Sequence, residues 1–256
     1  MSENISKTVL ITGAAQRIGK AMALALAGDG WQVAVHYNGS AGEAGEVVQQ
    51  ISDGGGRAIS VQADLADEAA VAGLIPEVTK QLGPVTCVIN NASIFEKDSV
   101  ESVTKSSWDR HMAINLRAPF ILTQSLAENR DKLEKANIIN IVDQRVENLT
   151  PYFMSYTLSK SALWTLTQTS AAALAPDIRV NAIGPGPTLP SARQTSEEFD
   201  RQIALTPLQI QVDPKDICSA VRFVLATPSM TGQLLSIDSG QHLGWAQPGQ
   251  SDQPNE

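Results

Sequence analysis

The chain has 256 residues, 43% of them hydrophobic, which is enough to bury one large core and short enough for a single α/β domain. A formal net charge of −8, with 18% charged residues and no basic block, opposes binding to a nucleic-acid backbone but still allows a local pocket for a small phosphorylated ligand. No run approaches the roughly eighteen apolar residues of a spanning helix, no basic-then-apolar leader opens the chain, and Cys87 and Cys218 lack C-x-x-C spacing, so the sequence predicts a cytoplasmic protein without membrane segment, disulfide framework or metal site.

Thr8-Val-Leu-Ile-Thr12 reads as a strand, and the turn after it opens an Ala- and Leu-rich helix at 18–26. The alternation continues with a strand at 31–37, a helix at about 41–53, a strand at 57–62, a helix at 67–82 and a strand at 85–89. A long helix over 108–129, a strand at 137–142, a helix at about 154–174 and a strand at 178–183 follow. After a loop-rich segment, in which Ser196 can cap a short helix, come a helix at 213–226 and a last strand at 234–237. Strands this continuously apolar, in a βα rhythm, predict a Rossmann-type, doubly wound, seven-stranded parallel sheet with helices on both faces. Residues 1–246 form one domain on this reading, and 247–256 are a polar, disordered tail. Ligands in such folds sit beyond the carboxyl ends of the strands, so the residues that follow each strand carry the functional information.

Thr12-Gly-Ala-Ala-Gln-Arg-Ile-Gly19 follows the first strand. Gly13 lets the backbone turn close to a pyrophosphate, and the helix begun by Ile18 and Gly19 offers free amides to that anion; a plain strand-to-helix turn is the competing reading. Arg17 takes the middle-glycine place of a G-x-x-x-G-x-G spacing and points toward the cofactor mouth. The second strand ends in His36-Tyr37-Asn38-Gly39-Ser40, without the carboxylate that would meet the ribose hydroxyls of NAD. Arg17, His36 and Ser40 can instead hold a 2′-phosphate, which favours NADPH, although His36 taken alone reads equally as a buried strand histidine. Asp64 with Leu65 can bound an adenine; an N-cap is the other role open to Asp64, and Asp67 competes for it. The small residues of the turn Asn90-Asn91-Ala92-Ser93 allow close approach to ribose and phosphate.

Asn115 is a poor helix former inside a helix, explained either by local bonding or by a site role. Tyr156 and Lys160 lie one turn apart and share a face, where the lysine favours the phenolate and lowers the tyrosine pKa from about 10, making a usable proton donor.

These pieces, together with Asn181-Ala-Ile-Gly-Pro-Gly-Pro-Thr188, resemble the short-chain dehydrogenase/reductase family over about residues 6–245. The resemblance implies that Tyr156 exchanges the proton as hydride moves at the nicotinamide, that Lys160 also binds the nicotinamide ribose, and that Asn115 supports a water-linked proton path. It also implies that Pro185, Gly186 and the backbone near Thr188 seat the carboxamide. One position departs: where the family has serine, thirteen residues before the tyrosine, this chain has Asp143. An ionised carboxylate cannot donate to a carbonyl oxygen and repels an oxyanion, so a substrate presenting N–H groups suits it better.

Within the family, Arg17, His36-Tyr37, Ser40, Asn90-Asn-Ala-Ser93 and Asp143 resemble the pteridine reductases and the related dihydromonapterin and dihydrofolate reductases. That resemblance implies a pterin held by Ser93, Phe95, Asp143 and Tyr156, with Phe95 stacked on the ring; a hydrophobic loop anchor is the other reading of Phe95. The implied reaction delivers hydride to C7 of an oxidised pterin, with Tyr156, Asp143 and Lys160 protonating the neighbouring nitrogen, or to C6 of a 7,8-dihydropterin, with water as the proton source. Residues 187–212 read as the substrate loop. A homotetramer is implied, with the last helix and strand at an interface, and His242 and Trp245 are open to either a pocket or a packing role. Two rivals stand beside this reading: a carbonyl reductase, such as one for 3-oxoacyl thioesters, which Asp143 opposes, and a non-catalytic NADP-binding regulator, which Tyr156, Lys160 and Asn115 oppose.

Overall fold

A computed structural model describes residues 7–131, 134–191 and 193–244; Trp245 and the expected tail lie outside the described residues. In chain order the elements are β1 (Thr8–Ile11), α1 (Arg17–Gly28), β2 (Gln32–Tyr37), α2 (Ala41–Asp53), β3 (Ala58–Gln62), α3 (Glu68–Leu82) and β4 (Cys87–Asn90). They continue with α4 (Lys105–Met112), α5 (Ala118–Asn129), β5 (Ala136–Ile141), α6 (Met154–Leu174), β6 (Ile178–Pro185), α7 (Ser196–Ala204), α8 (Pro214–Ala226) and β7 (Leu234–Ile237).

All seven strands are parallel, in the order β3-β2-β1-β4-β5-β6-β7. Successive side chains of a central strand enter opposite cores: Val9 and Ile11 pack with α1, α2 and α8, while Leu10 packs with α3 and α5. Burial on both faces is the reason these strands read as continuous apolar runs rather than alternating ones. The crossover direction reverses between β1 and β4, which opens a cleft above their carboxyl ends.

The long helix expected over 108–129 is interrupted by a π turn, Ala113–Arg117, between α4 and α5. Pro119 has no N–H to give to the carbonyl four residues back, that of Asn115, so the regular ladder cannot run through this point and the turn widens. The start of α7 also differs from expectation. Thr195, not Ser196, is the cap, because its hydroxyl accepts from Glu198 N at 3.2 Å while the Glu198 carboxylate accepts from Thr195 N at 2.9 Å.

Asp67 rather than Asp64 caps α3: its Oδ1 accepts from Ala69 N and Ala70 N, whereas Asp64 accepts from Ala66 N in the preceding turn. Replacing Asp67 by Ala is expected to cost about 1 kcal/mol and to lower the thermal midpoint by about 2–4 °C. Asp64→Ala is expected to cost less than half as much, as a parallel pair of calorimetric melts would show.

Candidate active site

A cleft of about 480 Å³ lies over the carboxyl ends of β1, β2, β4, β5 and β6. Its floor on the β1 side is the glycine loop, where Gly13 adopts φ +63° and a side chain on Gly19 would meet the Gly13 carbonyl oxygen at 2.2 Å. Only glycine allows that helix to close on the loop and leave room for an anion above. Asn91 locks the same loop from below, donating to Thr12 O at 2.9 Å and Gly13 O at 3.2 Å, while Asn91 N and Ala92 N both donate to the Thr12 hydroxyl. Gly186 is equally constrained, since a Cβ would come within 2.5 Å of the Asp238 backbone.

Of the residues expected around a dinucleotide, Gly13, Arg17, Ile18, Gly19, Tyr37, Asn38 and Ser40 line this cleft. Asn91, Ala92, Ser93, Pro185, Gly186 and Thr188 do so on the opposite side. Asp64 and Leu65 lie outside its wall; Asp64 is exposed at the end of β3 and Leu65 is buried beneath it. Arg17, in the left-handed region at φ +54°, directs its guanidinium across the mouth to Leu189 O and Pro190 O, each at 3.0 Å.

His36 requires a correction. It is buried, and both ring nitrogens are taken: Nδ1 accepts from Gly13 N at 3.1 Å and Nε2 donates to Ala63 O at 3.2 Å. The ring therefore buttresses the glycine loop from inside the sheet and does not reach the cleft. Burial pushes its pKa down to about 4, while the hydrogen bond to the Ala63 carbonyl acts the other way.

At the far end, the Tyr156 hydroxyl donates to Asp143 Oδ2 at 2.6 Å. Asp143 Oδ1 accepts from Arg145 N at 2.9 Å, and the buried Arg145 guanidinium stands 3.7 Å from the same oxygen. Lys160, also buried, donates to Ile141 O at 2.7 Å, with its ammonium 5.8 Å from the centre of the Tyr156 ring. Burial lowers the Lys160 pKa to about 8, while the charge of Asp143 acts the other way. Beneath this group a buried amide relay, Asn90 to Asn140 at 2.7 Å and Asn140 to Thr167 at 2.8 Å, ties β4 and β5 to α6. This relay fixes the height of the tyrosine helix over the sheet.

Asn115 is fully buried in the π turn and does not face the cleft. Its amide is spent on four bonds, to Ile94 O and Ser159 Oγ as donor and from Ile94 N and Ser93 Oγ as acceptor. It thereby clamps the turn after β4 to α6. Phe95 does line the cleft, stacked on Phe153 (centroids 4.3 Å apart, 10° between planes) and steeply inclined to the Tyr156 ring (centroids 4.6 Å apart, 68° between planes). The guanidinium carbons of Arg145 and Arg193 lie 5.3 and 5.0 Å from the Phe95 ring, and Arg193 also donates to Phe95 O at 2.7 Å. Phe95 is thus both a loop anchor and part of the cleft surface.

Sequence reasoning missed Arg145, Phe153 and Arg193. Arg145 alone carried a local signal, two residues beyond Asp143 in the same post-strand turn. The loop 187–212 is pinned at both ends, Val212 N to Pro187 O at 3.1 Å and Gln211 Nε2 to Thr188 O at 2.7 Å. His242 stays at the end of β7, its Nδ1 2.9 Å from the buried Asp238 carboxylate, and Gln241 faces the cleft in its place.

The short chain dehydrogenase family model matches residues 7–201. A 3-oxoacyl-[acyl-carrier-protein] reductase from Staphylococcus epidermidis is 30% identical over 93% of this chain and 100% of its own length. An uncharacterized oxidoreductase from Methylorubrum extorquens is 33% identical over 94% of this chain and 99% of its own. Among solved structures, FolM alternative dihydrofolate reductase 1 from Brucella suis, in complex with NADP, has a TM-score of 0.92 at 46% identity and covers 97% of this chain and 99% of its own. The Brucella canis protein of the same name, also complexed with NADP, has a TM-score of 0.93 at 44% identity with the same coverage.

The sign of the His36 shift sets an expectation. Because the folded pKa lies below the ordinary 6.5, the unfolded chain binds the extra proton between pH 6.5 and about 4, and stability is lost as pH falls through that window. In a histidine-selective NMR titration, an imidazole signal that stays neutral to near pH 4 is expected and should vanish in His36→Asn, whose stability falls less steeply over the same window.

Proposed function

The chain belongs to the short chain dehydrogenase family, and from that premise we propose that it is an NADPH-dependent reductase of a pterin or dihydropterin ring. The observation that carries this reading is the 2.6 Å bond between Tyr156 and Asp143. A hydroxyl at position 143 would give a ketone oxygen a second donor, whereas the carboxylate is an acceptor already engaged with the proton donor itself. Such a pair suits a ring carrying N–H groups and a basic nitrogen: the Tyr156 O–H would turn from Asp143 to the ring nitrogen, Asp143 would accept a ring N–H in its place, and the Lys160 ammonium would stabilise the phenolate left behind.

The residues present fit the cofactor. Gly13, Ile18, Gly19, Asn91 and Ala92 leave room for a pyrophosphate at the N-terminus of α1. Arg17 and Ser40 border the place of a 2′-phosphate, with Tyr37 and Asn38 beside them. Lys160 and Tyr156 would meet the nicotinamide ribose, and Pro185, Gly186 and Thr188 the carboxamide. Bound NADPH supplies the hydride; the chain supplies placement and the proton. Phe95 offers a flat face for a bicyclic ring next to Ser93, and loop 187–212 covers it.

The names of the Brucella structures support this reading, and the likeness to 3-oxoacyl-[acyl-carrier-protein] reductases keeps a thioester reductase as the second one. Among the described residues no helix is long and apolar enough to cross a membrane. The exposed Phe120, with the half-buried Leu116 and, from α6, the half-buried Leu166, gives an apolar face suited to a homotetramer contact.

Following NADPH absorbance with dihydrobiopterin, dihydrofolate or an acetoacetyl thioester tests the assignment. Pterin turnover is expected to dominate, and turnover of the thioester alone would overturn it. Asp143→Ser is expected to lower pterin turnover by about 100-fold with NADPH affinity little changed, measured by steady-state kinetics and cofactor fluorescence titration.

A further inference from the structure

The N-terminus of α6, the helix that carries Tyr156, has no cap of its own. Its N-cap residue is Phe153, which has no acceptor in its side chain and sits in the left-handed region at φ +57°. That conformation is unfavourable for a bulky residue and persists only where its surroundings hold it. The missing acceptor comes from a distant loop. Asp98, almost fully buried, takes Ser155 N at Oδ1 (3.1 Å) and Ser155 Oγ at Oδ2 (2.5 Å), while its main-chain oxygen takes Phe153 N at 2.8 Å. One carboxylate from the turn after β4 thus does for the first turn of α6 what a capping Ser or Asp would do from position 153, and the positive end of the helix favours its charge. Tyr156 is the next residue along.

The same short segment carries Phe95, which stacks on Phe153. It is held on its other side by His111 of α4, a buried ring whose Nδ1 donates to Ser107 O at 2.8 Å and whose Nε2 accepts from Glu96 N at 3.3 Å. Between residues 95 and 98, therefore, one stretch of chain presents the aromatic surface of the cleft and also sets the register of the tyrosine helix. We infer that Asp98 is a positioning residue for the reduction: it fixes the Tyr156 hydroxyl against Asp143 and at a set distance from Phe95, so that donor and ring platform move as one body. This rests on Tyr156 being the proton donor proposed above.

The test uses the full chain labelled with 13Cζ-tyrosine, which gives three signals for Tyr37, Tyr152 and Tyr156, the last assigned by its loss in Tyr156→Phe. In Asp98→Ala the Tyr156 signal is expected to move while Tyr37 and Tyr152 stay, with kcat lowered by about 10- to 100-fold and NADPH affinity unchanged. Asp98→Asn keeps an acceptor for Ser155 N and is expected to recover most of kcat and return the Tyr156 signal toward its original place. An unmoved Tyr156 signal with unaltered kcat would overturn the inference, as would a loss that Asp98→Asn does not relieve and that displaces all three signals together. If Asp98→Ala does not fold, Ser155→Ala removes one of the two bonds to the carboxylate: a Tyr156 shift there supports the inference and its absence overturns it. Should the wild-type protein turn over no pterin, the substrate reading fails while the tyrosine signals still decide the role of Asp98.

Discussion

The bond from the Tyr156 hydroxyl to Asp143 sets the terms for everything around it. Covering a carboxyl group that takes the phenol's hydrogen bond is costly unless its oxygens find further partners. Compensation comes from the Arg145 amide and guanidinium on one side and from the buried Lys160 on the other. Lys160 in turn is tolerated inside the protein because its ammonium donates to Ile141 O and is favoured by the charge of Asp143. Tyr156, Asp143, Arg145 and Lys160 are accordingly one interdependent set in which no member could be exchanged without re-balancing the others.

Holding such a set in register falls to groups that never touch the cleft. The Asn90–Asn140–Thr167 relay fixes α6 to the sheet, Asn115 clamps the turn after β4 to the same helix, and His36 props the glycine loop from below. Each is a buried polar side chain bonded to a neighbouring element, and such networks rigidify the parts they join. The π turn at Ala113–Arg117 belongs with them, since it places Asn115 where it can reach both Ile94 and Ser159.

The fold was largely legible because buried parallel strands announce themselves as apolar runs and the helices between them begin and end on clear signals; α2, α6 and β7 lie where the sequence put them. Less legible was the direction in which a buried strand points a given side chain. His36 sits in a strand covered on both faces, so alternation could not say whether its ring met solvent or core. The π turn has one mark in the sequence, Pro119 four residues after Asn115, and a proline so near a helix start is equally compatible with a regular helix. Asp98, Phe153 and Arg193 act through contacts with residues far away in sequence, and no local pattern encodes those. Asp143 was singled out by its spacing from Tyr156 only because a family resemblance gave that spacing meaning.

The Asp143–Tyr156 pair narrows the chemistry more than any other feature, because it removes a donor that a ketone needs and supplies an acceptor that a nitrogen heterocycle can use. A crystal structure of the protein with NADP and a dihydropterin tests this most directly. The expected result places the bicyclic ring against Phe95, with a ring nitrogen or its N–H within hydrogen-bonding reach of the Asp143–Tyr156 pair. A ring bound away from Phe95, or one whose nitrogens all face away from Asp143, would contradict it.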